Sequence, residues 1–242
     1  MERVVYEQMA ELDERHWWYR ARREVLAALI RRRVRPPNGA AILEIGCGTG
    51  HNLAMLGQFG RVDALEVDAG ARAVAEKRLG RPVISAPLPE LKGVAERHYD
   101  MIGAFDVIEH IADDGAAIAS IARRLKPGGK LVVAVPAHQW MWSAHDTVNH
   151  HHRRYSKRGL KRLITASPLK LEAIGYFNSL LFPLAVAQRL ASRAAGKDNS
   201  DLTLPPKPVN YALERGFAAE RLLIGRIPLP PGLSLFAIGS AT

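Results

Sequence analysis

The sequence predicts an α/β fold in which a mostly parallel sheet carries helices on both faces. Three observations predict it. Short apolar runs alternate with segments of helical periodicity over residues 39–177, the pattern of a sheet built from crossover units. The first run, 41–45, feeds into a glycine-rich turn and then a helical stretch, and ligands of such sheets sit beyond the carboxyl ends of the strands. Two late runs, 169–177 and 233–239, stand outside the alternation and read as a closing pair of strands.

Residues 3–33 read as a helix, with Trp18, Val25, Leu26, Leu29 and Ile30 at helical spacing. Pro36-Pro37-Asn38-Gly39 ends it. A strand over 41–45 leads through Gly46-Cys47-Gly48-Thr49-Gly50 into a helix over 51–59. A second strand (61–67), a helix (69–79), a third strand (81–85) and a fourth strand (100–105) follow. Next come a helix (113–125), a turn at Lys126-Pro127-Gly128-Gly129 and a fifth strand (130–135). The last third holds a helix (156–166), the strand over 169–177 and an apolar segment over 178–195. A loop over 196–210 with prolines at 205, 206 and 208, a helix (211–225), a turn (228–232) and the final strand complete it. No linker interrupts the chain. The expected organisation is a single domain, 1–242, divided into an N-terminal helical segment (1–38), a core (39–177), a helical insertion (178–232) and a closing strand (233–242).

Hydrophobic residues make up 48% and charged residues 24% of the 242 residues, which excludes a wholly disordered chain, a collagen or a disulfide-stapled miniprotein. Cys47 is the only cysteine, so neither an intrachain disulfide nor a cysteine-based metal site can form. That fits a reducing, cytoplasmic setting. The charged N-terminus has no signal-type apolar core, and no run reaches the roughly 18 apolar residues of a membrane span. Lys and Arg total 34 against 24 acids, a net charge of +10. Such an excess suits an anionic partner: nucleic acid, an anionic membrane surface or a phosphorylated substrate. The excess is clustered, with seven arginines and one acid over 20–35, and six basic residues and no acid over 153–162.

The stretch Ile42 to Gly50 carries the most information. Its glycines let the backbone approach a ligand, and the helix that follows offers unpaired N–H groups. Glu66 falls at the end of the second strand, where a carboxylate can accept both ribose hydroxyls of a nucleoside. A dinucleotide cradle wants G-x-G-x-x-G. Here the spacing is G-x-G-x-G, with His51 next, which favours a ligand with adenosine and no phosphate, such as S-adenosylmethionine.

Glu44-Ile45-Gly46-Cys47-Gly48-Thr49-Gly50, Glu66, Tyr99-Asp100-Met101-Ile102 and Leu125-Lys126-Pro127-Gly128-Gly129-Lys130-Leu131 together resemble the class I S-adenosylmethionine-dependent methyltransferases over roughly residues 15–175. The resemblance implies a Rossmann-like, seven-stranded sheet whose last strand is antiparallel. It also implies S-adenosylmethionine as methyl donor and S-adenosylhomocysteine as product. By position, Glu44 and Gly46, Cys47, Gly48 and Gly50 would surround the methionine part of the donor. Glu66 would bind the ribose, with Val67 beside it. Ala86 and Leu88 would lie against adenine; most members carry an acid near 86, so recognition here would fall to backbone groups. Asp106 should face the methyl donor. His16-Trp17-Trp18-Tyr19-Arg20-Ala21-Arg22, with Ser143-Ala144-His145-Asp146 and His152-Arg153-Arg154-Tyr155, looks like a bacterial subgroup in which the N-terminal helix lids the cofactor. In that arrangement Trp18 would flank the donor and Arg22 would pair with its carboxylate.

Asp106, Glu109 and His110 look like the divalent-metal set of ubiquinone-biosynthesis O-methyltransferases. The same pentapeptide also serves to brace the loop, and the expectation is that no metal is bound. The dense group after the fifth strand supplies the substrate candidates His110, His145, Asp146, His151, Arg153, Arg154 and Tyr155. Arginine forks bind phosphate or carboxylate, and histidine can act as a base near neutrality. His145 is the expected base, with Asp106 as its catalytic neighbour. The expected acceptor is a small molecule, apolar or anionic, methylated on oxygen or nitrogen. The alternatives are a lipid- or polyprenyl-linked phosphate or sugar at a membrane surface, and a non-catalytic cofactor-binding scaffold. Segment 178–195 could lie in an interface, with Arg189 and Arg193 reaching headgroups. Nucleic acid is disfavoured, because no Asn-Pro-Pro-Tyr or Asp-Pro-Pro-Tyr motif is present.

Overall fold

The computed structural model describes residues 12–194 and 204–242; the first residues of the expected N-terminal helix and much of the 196–210 loop lie outside them. Six strands form one sheet: β1 (Ala40–Ile45), β2 (Gly60–Leu65), β3 (Tyr99–Phe105), β4 (Leu125–Pro136), β5 (Leu169–Phe177) and β6 (Ser234–Ala241). Their order is β2-β1-β3-β4-β6-β5. The first four run parallel, and β6 lies antiparallel between β4 and β5.

Alternation along the strands sorts the core into two layers. Ile42, Met101, Val132 and Ile238 face one side, under Val25, Leu26 and Leu29 of α1 (Trp17–Leu29). Leu43, Ile102, Val133 and Ala237 face the other with Ile118 and Ile121. The remaining helices are α2 (Leu53–Leu56), α3 (Ala69–Leu79), α4 (Asp114–Arg124), α5 (Ala144–Val148), α6 (Lys157–Thr165), α7 (Phe182–Ala194) and α8 (Lys207–Ala218). Ile118 and Ile121 belong to α4, and α8 packs against α1.

The sheet departs from the expected seven strands at residues 81–85. Only Ile84 pairs there, donating to Ala64 O and accepting from Glu66 N, both at 2.9 Å. Pro82 has no N–H to give the ladder, and Pro87 and Pro89 follow at once. The expected turn at 126–129 is instead absorbed into β4 as an irregularity, where the register jumps from Tyr99↔Leu125 to Met101↔Lys130. The expected helix over 211–225 begins earlier, at Lys207, because Pro208 sits in the first turn, where no N–H is needed. Helix α1 passes into a π-turn, Ile30–Val34, and stops at Arg35 in left-handed conformation.

Candidate active site

Buried polar groups sit at or just beyond the carboxyl ends of β1 (Glu44), β3 (Glu109) and β5 (Asn178). The turn after β1 is held open by conformation. Gly46 has φ +64°, and a Cβ there would come within 2.6 Å of Val107 Cγ2. Gly50 has φ +84°, with Leu53 Cδ1 at 2.7 Å and the Ala75 backbone at 3.2 Å from such a Cβ. Both are therefore restricted to glycine. The turn is pinned from β2: Gly48 N and Asp68 N donate to the two oxygens of Glu66, each at 2.8 Å. Cys47 is fully buried, and burial first, then Glu44 and Glu66, push its thiol far above its ordinary range. It has no nucleophilic character there.

The roof comes from the N-terminus. Asp13, 0% exposed, accepts from Thr49 Oγ1 at 3.1 Å and from both terminal nitrogens of Arg78. Asn210 Oδ1 accepts from Trp17 N at 3.0 Å, and Glu214 accepts from Arg20 Nε at 3.0 Å, so α8 clamps α1 from behind. On its inner side α1 presents Arg22, 2% exposed. Its guanidinium carbon lies 4.9 Å from the Trp18 ring centroid and 5.7 Å from that of Phe177. Arg22 Nη2 is 2.8 Å from Asp106 Oδ2, but the angle is poor: neither Nη2 nor Nε has an aligned hydrogen-bond partner.

Below Arg22 lies Glu44, 1% exposed, which accepts from Asn52 Nδ2 at 2.8 Å through one oxygen, while the other has no partner. Burial is the main cause that lifts its carboxyl to about 8. His51 is held neutral by burial and then by Arg22, its imidazole lowered to about 3. Ala86 is buried, Leu88 half-buried and Val67 exposed. Unpaired donors on Arg22, an unpaired acceptor on Glu44 and a glycine cradle suit a ligand that brings an amino group and a carboxylate, as S-adenosylmethionine does.

A second polar group is built on the turn after β3. Asp106, in left-handed conformation at φ +55°, points back to Arg22. Glu109 is 0% exposed, and neither carboxylate oxygen has a partner. Burial and then Asp106 raise its carboxyl well above the usual range. Burial also lowers His110 to about 3, with His151 adding to the effect. The His110 and His151 rings meet edge-on, 4.6 Å apart. Behind them Asp146, 0% exposed, accepts from His151 Nδ1 at 2.9 Å, Arg154 Nε at 2.7 Å and Ser143 N at 2.9 Å. Burial opposes its charge, but the hydrogen bonds from His151 and Arg154 outweigh burial and hold its carboxyl below the ordinary range.

Thus Glu109, His110, His151 and Asp146 are gathered into one cluster beside Asp106. The other candidates make contacts within the chain. Arg153 pairs with Asp114 at 2.7 Å, and Tyr155 donates to the same carboxylate at 2.8 Å. Arg154 pairs with Asp146 and donates to the Ala137 carbonyl. His145 Nε2 lies 3.1 Å from Asn149 Nδ2 on α5, its ring 6.2 Å from that of His151. Glu109, His110 and His151 offer ligand atoms within 4.8 Å of one another and could hold a divalent cation; Asp106 is not in that set. Sequence reasoning missed Asp13, Asn52, Phe177 and Asn178, whose amide is buried with neither atom partnered. Phe177 and Asn178 end β5, so the strand-end rule could have found them.

The matches to known proteins agree with this geometry. Residues 17–174 match the methyltransferase domain family. A Mycobacterium tuberculosis protein named a probable S-adenosylmethionine-dependent methyltransferase is 30% identical over 148 residues, 60% of this chain and 52% of that one. The ubiquinone biosynthesis O-methyltransferase of Caulobacter vibrioides is 32% identical over 105 residues, 41% of this chain and 42% of that one. Each match thus spans about half or less of these two curated relatives' own length. In solved structures, the Streptomyces coelicolor geranyl diphosphate C-methyltransferase, complexed with S-adenosyl-L-homocysteine, superposes at TM-score 0.58 with 12% identity, covering 90% of this chain and 75% of that one. The Haemonchus contortus phosphoethanolamine N-methyltransferase 2, complexed with S-adenosyl-L-methionine, does so at TM-score 0.58 and 18% identity, covering 88% of this chain and 51% of that one. The chain therefore belongs to the methyltransferase domain family.

Proposed function

We propose that this protein methylates an oxygen or nitrogen of a small-molecule acceptor whose departing proton is taken by His151. The observation that supports this reading is the Asp146–His151 pair beside Glu109 and His110. Asp146 is a firm anion behind His151 and accepts from its Nδ1 at 2.9 Å. The proton is thereby fixed on Nδ1, and the Nε2 lone pair faces away from the pair as a base. As the acceptor oxygen or nitrogen bonds to the methyl carbon, the methyl–sulfur bond of the donor would break to leave S-adenosylhomocysteine, the acceptor's proton would pass to Nε2, and Asp146 would stabilise the imidazolium. His145, one ring further along, and His110 line the same end of the sheet.

On the donor side, Arg22 and Glu44 would bind the carboxylate and the amino group of the methionine part. Gly46, Cys47, Gly48 and Gly50 would let its backbone approach, and Glu66 would take the ribose. Trp18 and Asp106 would flank the sulfonium, Ala86, Leu88 and Val67 the adenine. The bound donor supplies an electrophilic methyl group, and positioning supplies much of the rate. A titration with S-adenosylhomocysteine and a labelled-methyl assay on small-molecule extracts test this. His151→Gln should abolish methylation and keep S-adenosylhomocysteine binding, whereas Arg22→Met and Glu66→Ala should lose binding. Full methylation by His151→Gln would refute the base, and binding without turnover on any extract would favour the scaffold.

A further inference from the structure

We infer that the outer face of α7, with the adjoining basic face of α6, docks on an anionic lipid bilayer. This goes beyond the acceptor reading and does not depend on it. Among the described residues, α7 (Phe182–Ala194) has no buried side chain. At about 100° per residue, its exposed positions Pro183, Leu184, Ala187, Gln188, Leu190 and Ala191 fall on one continuous arc. Gln188 is the only polar group on that arc. Leu184 is 57% and Leu190 56% exposed, and Leu180, just before the helix, is 50% exposed. An ordinary surface helix turns such an arc inward. Here the half-buried positions include Arg189 and Ser192, so the apolar stripe faces out, as in a helix that lies in a membrane interface.

On the half-buried side of α7, away from the stripe, a row of rings leads to a cationic surface. Phe182 packs on His138 (5.1 Å) and against Trp140 (6.3 Å), His138 stacks on Tyr176 (5.4 Å), and Lys157 Nζ sits 5.9 Å from the Tyr176 ring. Trp140 is 47% exposed, an aromatic position suited to the headgroup level. Beyond the row, α6 exposes Lys157, Arg158, Lys161 and Arg162, carries no acid, and none of the four has an ion-pair partner among the described residues. These cations replace the expected Arg189, which is half-buried, and Arg193, whose side chain lies outside those described. Charge decides the occupant. A second copy of this chain, also at +10, would set like charges face to face, whereas an anionic bilayer attracts the α6 cations while taking up the leucines. No helix of the described residues is long and apolar enough to cross a membrane, so the contact is peripheral.

The test is co-sedimentation of the full chain with vesicles of phosphatidylcholine alone or mixed with phosphatidylglycerol. Binding should require phosphatidylglycerol and weaken with salt, and tryptophan emission should shift to the blue in wild type but not in Trp140→Phe. Leu184→Asp with Leu190→Asp should cut the partition constant roughly tenfold or more, as should Lys157→Glu with Arg158→Glu. Both variants should keep wild-type S-adenosylhomocysteine binding, which shows that they fold. No binding to phosphatidylglycerol vesicles at low salt would overturn the inference. So would binding indifferent to the leucine variants, or a dimer in ultracentrifugation that those variants dissolve.

Discussion

Replacing Asp146 by Asn tests whether one buried carboxylate organises the cluster of His151 and Arg154. Asp146, His151 and Arg154 have side chains 0%, 7% and 9% exposed, so solvent screens little of their interaction. Taking one partner from a buried ion pair costs about 3–5 kcal/mol, because the other charge is stranded. Asn keeps the shape and one acceptor oxygen, so about 3 kcal/mol is expected, from the low end of that range. For a chain of this length that lowers the melting temperature by about 6–12 °C, at about 2–4 °C per kcal/mol. The pH dependence follows from the depressed carboxyl. A group whose folded pKa lies below its unfolded value stabilises above the unfolded value, about 3.9 for Asp, and loses that stabilisation as pH falls through the folded one. Wild type should therefore weaken more steeply than Asp146→Asn below about pH 4. Thermal melts by circular dichroism, with Arg154→Gln and the double variant, close a cycle whose coupling should be about 2 kcal/mol. A melting temperature within a degree or two of wild type, or additive single effects, would refute the argument.

Three other outcomes follow from the same geometry. Glu44→Gln should flatten the stability profile between about pH 4.5 and pH 8: a carboxyl raised to about 8 contributes stability that is full below its unfolded value and lost as pH rises through the folded one. Denaturant titrations across that range check it, and an unchanged slope contradicts it. Gly46→Ala should cost about 1–3 kcal/mol for the left-handed backbone alone, before the collision with Val107, and should abolish S-adenosylhomocysteine binding by calorimetry. Glu220→Gln should cost about 2 kcal/mol, since its buried carboxylate accepts from Asn178 N, Ser179 N and Leu180 N at 2.7, 2.5 and 2.8 Å; chemical denaturation measures this.

The strand-turn-helix unit around Gly46 was legible because glycine spacing and an acid at the next strand end are local signals. The third strand was misread because the apolar flavour of Val83 and Ile84 outweighed Pro82, whose missing donor limits the ladder to one residue. The basic run at 152–155 shows a different limit. In this extended segment Arg153 and Tyr155 turn to Asp114 while Arg154 turns to Asp146. Neighbours in sequence thus serve different partners, and composition alone gives no direction. Asp13 was invisible for the opposite reason: an acid in a highly charged N-terminal stretch reads as solvated, and only the fold brings Thr49 and Arg78 to it.

The place of β6 bears on how the chain is made. It is an interior strand supplied by residues 234–241 and paired on both sides, with Val132 opposite Ile238 and Ile174 opposite Ala237. During synthesis, β4 and β5 have no shared neighbour until those residues leave the ribosome. Until then the β4 backbone over 130–136 has no ladder partner on that side, the kind of template on which nascent chains aggregate. Closure of β6 on β4 then spans about a hundred residues of sequence, so completing the sheet should be the slow step of folding.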